Sequence, residues 1–281
     1  MWWRTATLSF SAIPADAPLG ATASAIFFAL GLGVLAGLAD MVGGFFIIHR
    51  EWSREYLKYF IALGAGFMLA VALLDMIPES LRLAMMQPFS IAPRSLGVST
   101  EWGEVLLLVL AGYLLVHFFE HTLAPHFHFG EETHIEKMAA SHVGYTAVLG
   151  LGIHTFFDGV AISSGLLVSR SLGILIFFAI FLHKLPEGFT VASLMMASGQ
   201  GKRAAFLSSA ILGAATLIGV ALMLLWRAHV GIALPLSAGV TLYVAASDLI
   251  PEVNHEPGPR WALLVFLGVA VMLGLEFIFH A

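Results

Sequence analysis

The chain has 281 residues, of which 59% are hydrophobic and 11% charged, with a formal net charge of −5 and no cysteine. A water-soluble domain carries about 25% charged residues, so this composition excludes a soluble globular protein. Without cysteine, disulfides, thiolate metal sites and cysteine nucleophiles are excluded as well. The chain also lacks a dense basic run, so nucleic acid is not an expected partner.

The apolar residues form long blocks, which predict an all-α membrane protein because a helix of about 20 apolar residues crosses a bilayer. A β-barrel is not expected, since barrel strands are about 10 residues long and alternate apolar with polar residues. No segment resembles a soluble domain, so we expect a single transmembrane transporter-like domain over residues 1–281. The eight predicted helices are, in chain order, 24–48, 57–79, 103–123, 142–168, 171–197, 204–226, 232–252 and 261–280.

Polar residues and Pro14 interrupt the first 17 residues, so we expect a short N-terminal tail and not a cleaved signal peptide. The basic residues of this tail and of the connecting segments predict the orientation in the membrane. With the N-terminus outside, seven basic residues face inward and five outward, and an excess of basic residues marks the cytoplasmic side. We therefore expect both termini outside, in a cell (cytoplasmic) membrane, and a histidine-rich cytoplasmic loop at 124–141. The inner set is Arg50, Arg54, Lys58, Lys137, Lys202, Arg203 and Arg260, and the outer set is Arg4, Arg82, Arg94, Arg170 and Arg227.

Two segments are similar at a constant offset of 173 residues. Residues 65–79 read AGFMLAVALLDMIPE, residues 238–252 read AGVTLYVAASDLIPE, and nine of the fifteen positions are identical. The copies lie in the second and seventh predicted helices, which an odd number of crossings separates, so they run in opposite directions. This arrangement is typical of the inverted repeats of secondary transporters, and it predicts one that relates the N- and C-terminal helices.

The repeat places acidic residues at both sides of the membrane. Asp75 and Glu79 are expected at the outer end of the second helix, and Asp248 and Glu252 at the inner end of the seventh. Two interpretations are open. The acids either mark helix ends whose positions the neighbouring prolines fix, or they form vestibules that attract metal ions.

The fourth and fifth predicted helices carry two motifs of the form H-x-x-x-[D/E]-G, namely HTFFDG from His154 and HKLPEG from His183. Residues four apart share a helix face, so His154 pairs with Asp158 and His183 with Glu187. A short connection makes the two helices antiparallel neighbours, and all four side chains can then converge on one ion. Charge at the bilayer centre costs about 2.5–3.5 kcal/mol, which a bound dication would offset. Imidazole with carboxylate suits Zn²⁺, Fe²⁺ or Mn²⁺.

Other motif residues fit a metal site. Pro186 frees a backbone carbonyl, and Gly159 and Gly188 permit close helix packing. A single intramembrane histidine is more often a hydrogen-bonded packing residue, and an acid with Lys184 can be a structural ion pair. Two motif copies in adjacent helices favour the metal site over these alternatives.

The connection between the third and fourth helices holds six of the twelve histidines, together with several glutamates. Either this stretch captures metal weakly, or its histidines and glutamates only keep a loop polar. His117 and His121, four residues apart near the end of the third helix, are an alternative exit pair for the metal. The six histidines are His117, His121, His126, His128, His134 and His142.

These motifs resemble those of the ZIP (Zrt/Irt-like) divalent metal transporters, over essentially the whole chain. HTFFDG is similar to the family's H-N-x-x-[D/E]-G and HKLPEG to its H-x-x-P-E-G. The resemblance implies uptake of a divalent metal toward the cytoplasm, with Zn²⁺ expected first and Fe²⁺, Mn²⁺ or Cd²⁺ next. It also implies a homodimer in the lipid bilayer, and movement of helices one, four, five and six against the other four.

The sequence departs from the family pattern at a second metal position. Many members hold two adjacent ions, using an Asn after the first His, a polar or acidic residue after the second, and a Glu in the sixth helix. Here these positions hold Thr155 and Lys184, and residues 204–226 contain no acid. We predict a single metal ion, with the Lys184 ammonium in or near the place of the second, where it offsets carboxylate charge when the metal leaves. Replacing Lys184 by Ala is expected to alter metal affinity or release more than folding.

Three other functions compete with metal import by alternating access. A membrane-embedded zinc-dependent hydrolase needs an open coordination position and a general base, and no H-E-x-x-H motif is present. A bis-imidazole haem protein would use His117, His121, His154 or His183 as axial ligands. Within transport, export is the alternative to import. We predict a transporter and not an enzyme, with no cofactor besides the transported metal; Asp40 and Glu276, also within predicted helices, are assigned no role.

Overall fold

The computed structural model describes residues 19–49, 54–86, 101–123 and 141–280. These residues are almost entirely helical and include no strand. Eight of the helices are long and apolar enough to cross a membrane, which confirms the predicted all-α class and the predicted number of spans. They are α1 (Leu19–His49), α2 (Arg54–Ala70, Val71–Met76 and Ile77–Met86), α3 (Glu101–Leu123), α4 (Ser141–Val168), α5 (Arg170–Ala197), α6 (Lys202–Leu225), α7 (Val230–Tyr243, Val244–Leu249 and Ile250–Asn254) and α8 (Pro259–His280).

Two segments for which the sequence made predictions lie outside the described ranges. The N-terminal tail is one of them, and the histidine-rich loop at 124–141 is the other, apart from Ser141, which begins α4. The single-domain prediction for residues 1–281 and the cytoplasmic position of this loop therefore stay predictions.

The eight helices pack in two groups of four. In the first group, α1, α4, α5 and α6 contact one another, while α2, α3, α7 and α8 form the second. Contacts of α4 with α7 and of α2 with α5 join the two groups, and a buried apolar cluster runs through both. The grouping matches the one that the family resemblance implies, whereas relative movement of the groups stays a prediction.

Both copies of the sequence repeat contain a π-helical segment at matching positions. Val71–Met76 and Val244–Leu249 each span 6 residues and each directly precede an Ile-Pro-Glu sequence. Each proline therefore lies in the first turn of the α-helix that follows, where its missing N–H costs little. For this reason α2 continues to Met86, beyond its predicted end at residue 79. The opposite directions of the two copies stay a prediction.

Gly66, within the repeat, lies at a close approach of α2 and α8. A Cβ at Gly66 would be 1.9 Å from the carbonyl oxygen of Val265 in α8, a distance that forces the helices apart. We expect Gly66→Ala to lower the free energy of unfolding by about 1–3 kcal/mol, measured by thermal unfolding in detergent. Gly274→Ala is the matched control, because a Cβ there has nothing within 4 Å. An equal loss of stability in both variants would contradict this packing.

Candidate metal centre

Four side chains from α4 and α5 meet between these helices. His154 and Asp158 come from α4, and His183 and Glu187 from α5, each pair one helical turn apart on a single face. One possible ligand atom from each residue lies within 4.8 Å of the other three. All four side chains have an exposed fraction of 0%. The structure thus brings together the four residues that the spacing singled out.

Each imidazole faces a carboxylate of the opposite helix. His154 Nε2 lies 3.1 Å from Glu187 Oε1, and His183 Nε2 lies 3.3 Å from Asp158 Oδ2 and 3.9 Å from Glu187 Oε2. Ligand atoms about 2.1 Å from one ion in a tetrahedron are about 3.4 Å apart. Small side-chain adjustments therefore suffice to place all four atoms around a single cation.

The outer nitrogen of each imidazole has a neighbour that orients the ring. His183 Nδ1 lies 3.3 Å from the carbonyl oxygen of Ala179, one turn earlier in α5, and donates to it. His154 Nδ1 lies 3.5 Å from Glu120 Oε1 of α3 but makes no hydrogen bond of good geometry. The hydrogen bond of His183 holds the proton of that ring on Nδ1 and leaves its Nε2 lone pair for a metal ion. Neither Nε2 atom makes a hydrogen bond of good geometry.

The motif glycines let two other helices approach the site. A Cβ at Gly159 would be 2.0 Å from Thr216 O of α6, and one at Gly188 would be 1.9 Å from Asp40 O of α1. Pro186, within α5, leaves one carbonyl of the preceding turn without its helical donor. Helices α1 and α6 therefore pack directly against the two helices that carry the ligands, and all four belong to one packing group.

Lys184 lies fully buried beside the two acidic ligands. Its Nζ is 2.8 Å from Asp158 Oδ2 and 2.6 Å from Glu187 Oε2. The Thr155 hydroxyl donates to the other oxygen of Glu187. A metal ion that binds these carboxylates therefore lies close to the Lys184 ammonium and competes with it for their negative charge.

Asp40 of α1 is a third buried carboxyl group at this site, and sequence reasoning assigned it no role. Its side chain is 0% exposed, and its Oδ2 lies 3.8 Å from Lys184 Nζ. Neither of its oxygens makes a hydrogen bond. An acid inside an apolar helix was a visible signal, but the sequence did not show that this face of α1 packs on α5.

The predicted exit residues lie on α3 and α7, outside the four-residue cluster. The rings of His117 and His121 are 4.1 Å apart, and both side chains are exposed on α3. Asp248 and Glu252 of α7 are buried. Glu120, on the same helix as the two histidines, faces His154 of the cluster; the sequence placed it only in a histidine- and glutamate-rich stretch.

The predicted entrance residues lie on α2, also outside the cluster. Asp75 is half-buried in the π-helical segment. Glu79 follows in the next helical turn and accepts two hydrogen bonds from Arg82, at 2.7 and 2.6 Å. Arg82 is itself exposed, and an exposed ion pair of this kind contributes little to stability. Their part in metal entry stays a prediction.

Eight apolar helices around a buried set of imidazoles and carboxylates define an integral membrane protein with a candidate metal site. A family model described as ZIP Zinc transporter matches residues 130–276, slightly more than half of the chain and including both motifs. The chain belongs to the ZIP zinc transporter family, which confirms the resemblance seen in the motifs. This is a family of transporters and not of enzymes, and it gives the zinc-dependent hydrolase no support.

Curated relatives match between about half and four-fifths of the chain. Zinc transporter ZIP9-A of Xenopus laevis is 28% identical over 266 residues, which cover 81% of this chain and 86% of that protein. Zinc transporter ZIP13 of Danio rerio is 32% identical over 152 residues, covering 50% of this chain and 42% of that protein. Zinc transporter SLC39A7 of Mus musculus is 30% identical over 148 residues, covering 48% and 31%.

Proposed function

We propose that this chain carries a divalent cation across a membrane through one site formed by His154, Asp158, His183 and Glu187. The observation that supports this most strongly is the convergence of four fully buried ligand atoms within 4.8 Å. Two imidazoles and two carboxylates suit first-row dications. Zn²⁺ is the favoured cargo because the curated relatives are named zinc transporters, and Fe²⁺, Mn²⁺ and Cd²⁺ are its competitors.

A single bound ion fits the residues beside the cluster better than a pair of ions. Lys184 Nζ already lies 2.6–2.8 Å from the acidic ligands, where it would repel a second cation. On the other side the Thr155 hydroxyl contacts Glu187 and adds no charge. We propose that the Lys184 ammonium occupies the region of the second metal found in many family members.

Transport by alternating access is supported by the two packing groups. All four ligands belong to α4 and α5, in the same group as α1 and α6, whereas Glu120 and Asp248 belong to the other group. Movement of one group against the other would change which side of the membrane the ligands face. The π-helical segments at matching positions of α2 and α7 support an inverted repeat behind this movement.

The direction and path of transport follow from the same proposal. The cation enters from outside past Asp75 and Glu79, binds the four ligands, and leaves to the cytoplasm past Asp248 and Glu252. The exposed His117 and His121 extend this inner route, with Glu120 next to His154. We place both termini outside, in a cytoplasmic membrane, and propose a homodimer embedded in lipid. Ligand protonation would assist release, since imidazole and carboxylate bind metal when deprotonated.

Metal uptake into proteoliposomes tests the proposed function. The unaltered chain should accumulate Zn²⁺ inside the vesicles, with Fe²⁺, Mn²⁺ and Cd²⁺ compared in parallel. His154→Ala and Glu187→Ala should each reduce this uptake to the level of protein-free vesicles, because each removes a ligand. His229→Ala is the matched control, since it removes an exposed histidine outside the site and should transport normally. Equal uptake by the control and by the ligand variants would refute the proposed site.

A further inference from the structure

Three carboxyl groups surround one ammonium at the candidate site, and they are not equivalent. Lys184 Nζ lies 2.8 Å from Asp158 Oδ2 and 2.6 Å from Glu187 Oε2, but 3.8 Å from Asp40 Oδ2. Asp40 is fully buried, and neither of its oxygens makes a hydrogen bond. A buried carboxyl group without a hydrogen bond is costly, so its position beside an ammonium calls for a physical explanation.

The charges of this cluster explain what Asp40 can do. When the imidazoles are neutral and all three acids are ionised, the three carboxylates and one ammonium carry a net charge of −2, which one bound dication balances. The dication and the Lys184 ammonium nevertheless compete for the same two acids. Two cations at such distances repel strongly in a dry interior, so the ammonium needs another carboxylate when metal binds. Asp40 is the third carboxylate within reach of Lys184.

The two halves of the site differ at two corresponding positions. HTFFDG and HKLPEG align so that Thr155 corresponds to Lys184. A Cβ added to the glycine that ends HKLPEG would lie 1.9 Å from the backbone carbonyl oxygen of Asp40. A Cβ added to the glycine that ends HTFFDG would lie 2.0 Å from the backbone carbonyl oxygen of Thr216. Asp40 therefore packs against α5 at the place where Thr216 packs against α4. The half of the site on α5 has Asp40 and Lys184 at these two positions, whereas the half on α4 has Thr216 and Thr155. The acid and the lysine therefore occur together in one half.

We propose that Asp40 is the alternative ion-pair partner of Lys184, to which the ammonium moves when a divalent cation takes Asp158 and Glu187. The inference rests on the proposed function. An ammonium–carboxylate hydrogen bond is about 2.7–2.9 Å long, so a shift of about 1 Å from the observed 3.8 Å is enough. Torsional changes near the end of the long, flexible lysine side chain can supply this shift of the ammonium without backbone movement. Asp40 is thus a positioning residue, which acts on the metal through Lys184.

A double-mutant comparison tests this role by calorimetric titration of the purified chain with Zn²⁺. Asp40→Asn should weaken zinc binding by about tenfold or more, because the ammonium then stays on the two ligand acids. In a Lys184→Met background the same change should alter affinity less than about threefold. Glu104→Gln neutralises another buried carboxyl group, about 24 Å along α3 from Glu120, and should leave affinity unchanged.

Each remaining outcome counts against the inference. If Asp40→Asn weakens binding equally with and without Lys184, Asp40 acts on the metal directly or through folding. If it has no effect with Lys184 present, Asp40 is not the partner. Failure of the unaltered chain to bind Zn²⁺ would refute the proposed function as well, whereas the first two results leave that function intact.

A zinc-bound structure of the unaltered chain gives a second measurement that needs no variant. Lys184 Nζ should then lie within hydrogen-bonding distance of Asp40 Oδ2 and have left Glu187 Oε2. An ammonium that stays 2.6 Å from Glu187 Oε2 in the zinc-bound protein would overturn the inference.

Discussion

Glu187→Gln should bind Zn²⁺ at least about 100-fold more weakly than the unaltered chain. Glu187 contacts both imidazoles of the cluster: Oε1 lies 3.1 Å from His154 Nε2, and Oε2 lies 3.9 Å from His183 Nε2. The amide keeps the shape of the side chain but loses the negative charge that faces the dication in a dry interior. Partners outside the ligand shell typically contribute 10–100-fold to metal affinity, so loss of a charged ligand should exceed that range.

Zinc titration in detergent, with uptake into proteoliposomes, measures this effect. Glu276→Gln in α8 is the control, since it makes the same chemical change at a half-buried position outside the cluster. The loss should appear as weaker binding with normal folding, because Asp158 still pairs with Lys184. An affinity within about threefold of the unaltered chain would remove Glu187 from the ligand set.

Lys184→Met should have the opposite effect on affinity, tightening zinc binding by about tenfold or more. The ammonium lies 2.6–2.8 Å from both acidic ligands, so it competes with the metal for their negative charge. Its removal also leaves buried acids without a cation, which destabilises the empty protein. The empty variant should therefore unfold at a lower temperature than the unaltered chain, and zinc should largely restore its stability.

Thermal unfolding with and without Zn²⁺, together with calorimetric affinity, separates the two parts of this expectation. Lys202→Met, at the exposed start of α6, is the matched control and should change neither quantity. Transport by Lys184→Met should slow, because a tighter site releases its ion less readily. The expectation fails if affinity stays constant, or if the empty variant is as stable as the unaltered chain.

Hydropathy and local spacing were sufficient to predict much of the architecture. Eight apolar blocks predicted eight helices because each block has the roughly 20 apolar residues that a helix needs to cross a bilayer. The spacing of His154 to Asp158 and of His183 to Glu187 fixed which side chains share a helix face. A connection of one residue between α4 and α5 then made these helices neighbours.

Other features required knowledge of which helix faces meet. Asp40 is 144 residues from Lys184 along the chain, and only the packing of α1 on α5 brings them to 3.8 Å. Glu120 reaches His154 because α3 packs on α4. The π-helical segments change the hydrogen-bonding pattern within α2 and α7, which hydropathy does not record. For the same reason the sequence did not predict that α2 continues past Glu79 to Met86.

The buried lysine also bears on the half of a transport cycle in which no cargo is present. A carrier must return to its starting orientation without cargo. Ionised carboxylates without a cation, at the depth of the bilayer centre, would oppose that step because uncompensated charge is costly there. Lys184 remains covalently attached and within 2.8 Å of both acids, so the vacant site keeps a resident cation. In the proposed alternating-access cycle, this resident charge would lower the cost of returning the empty site, because Lys184 is not released to either side of the membrane.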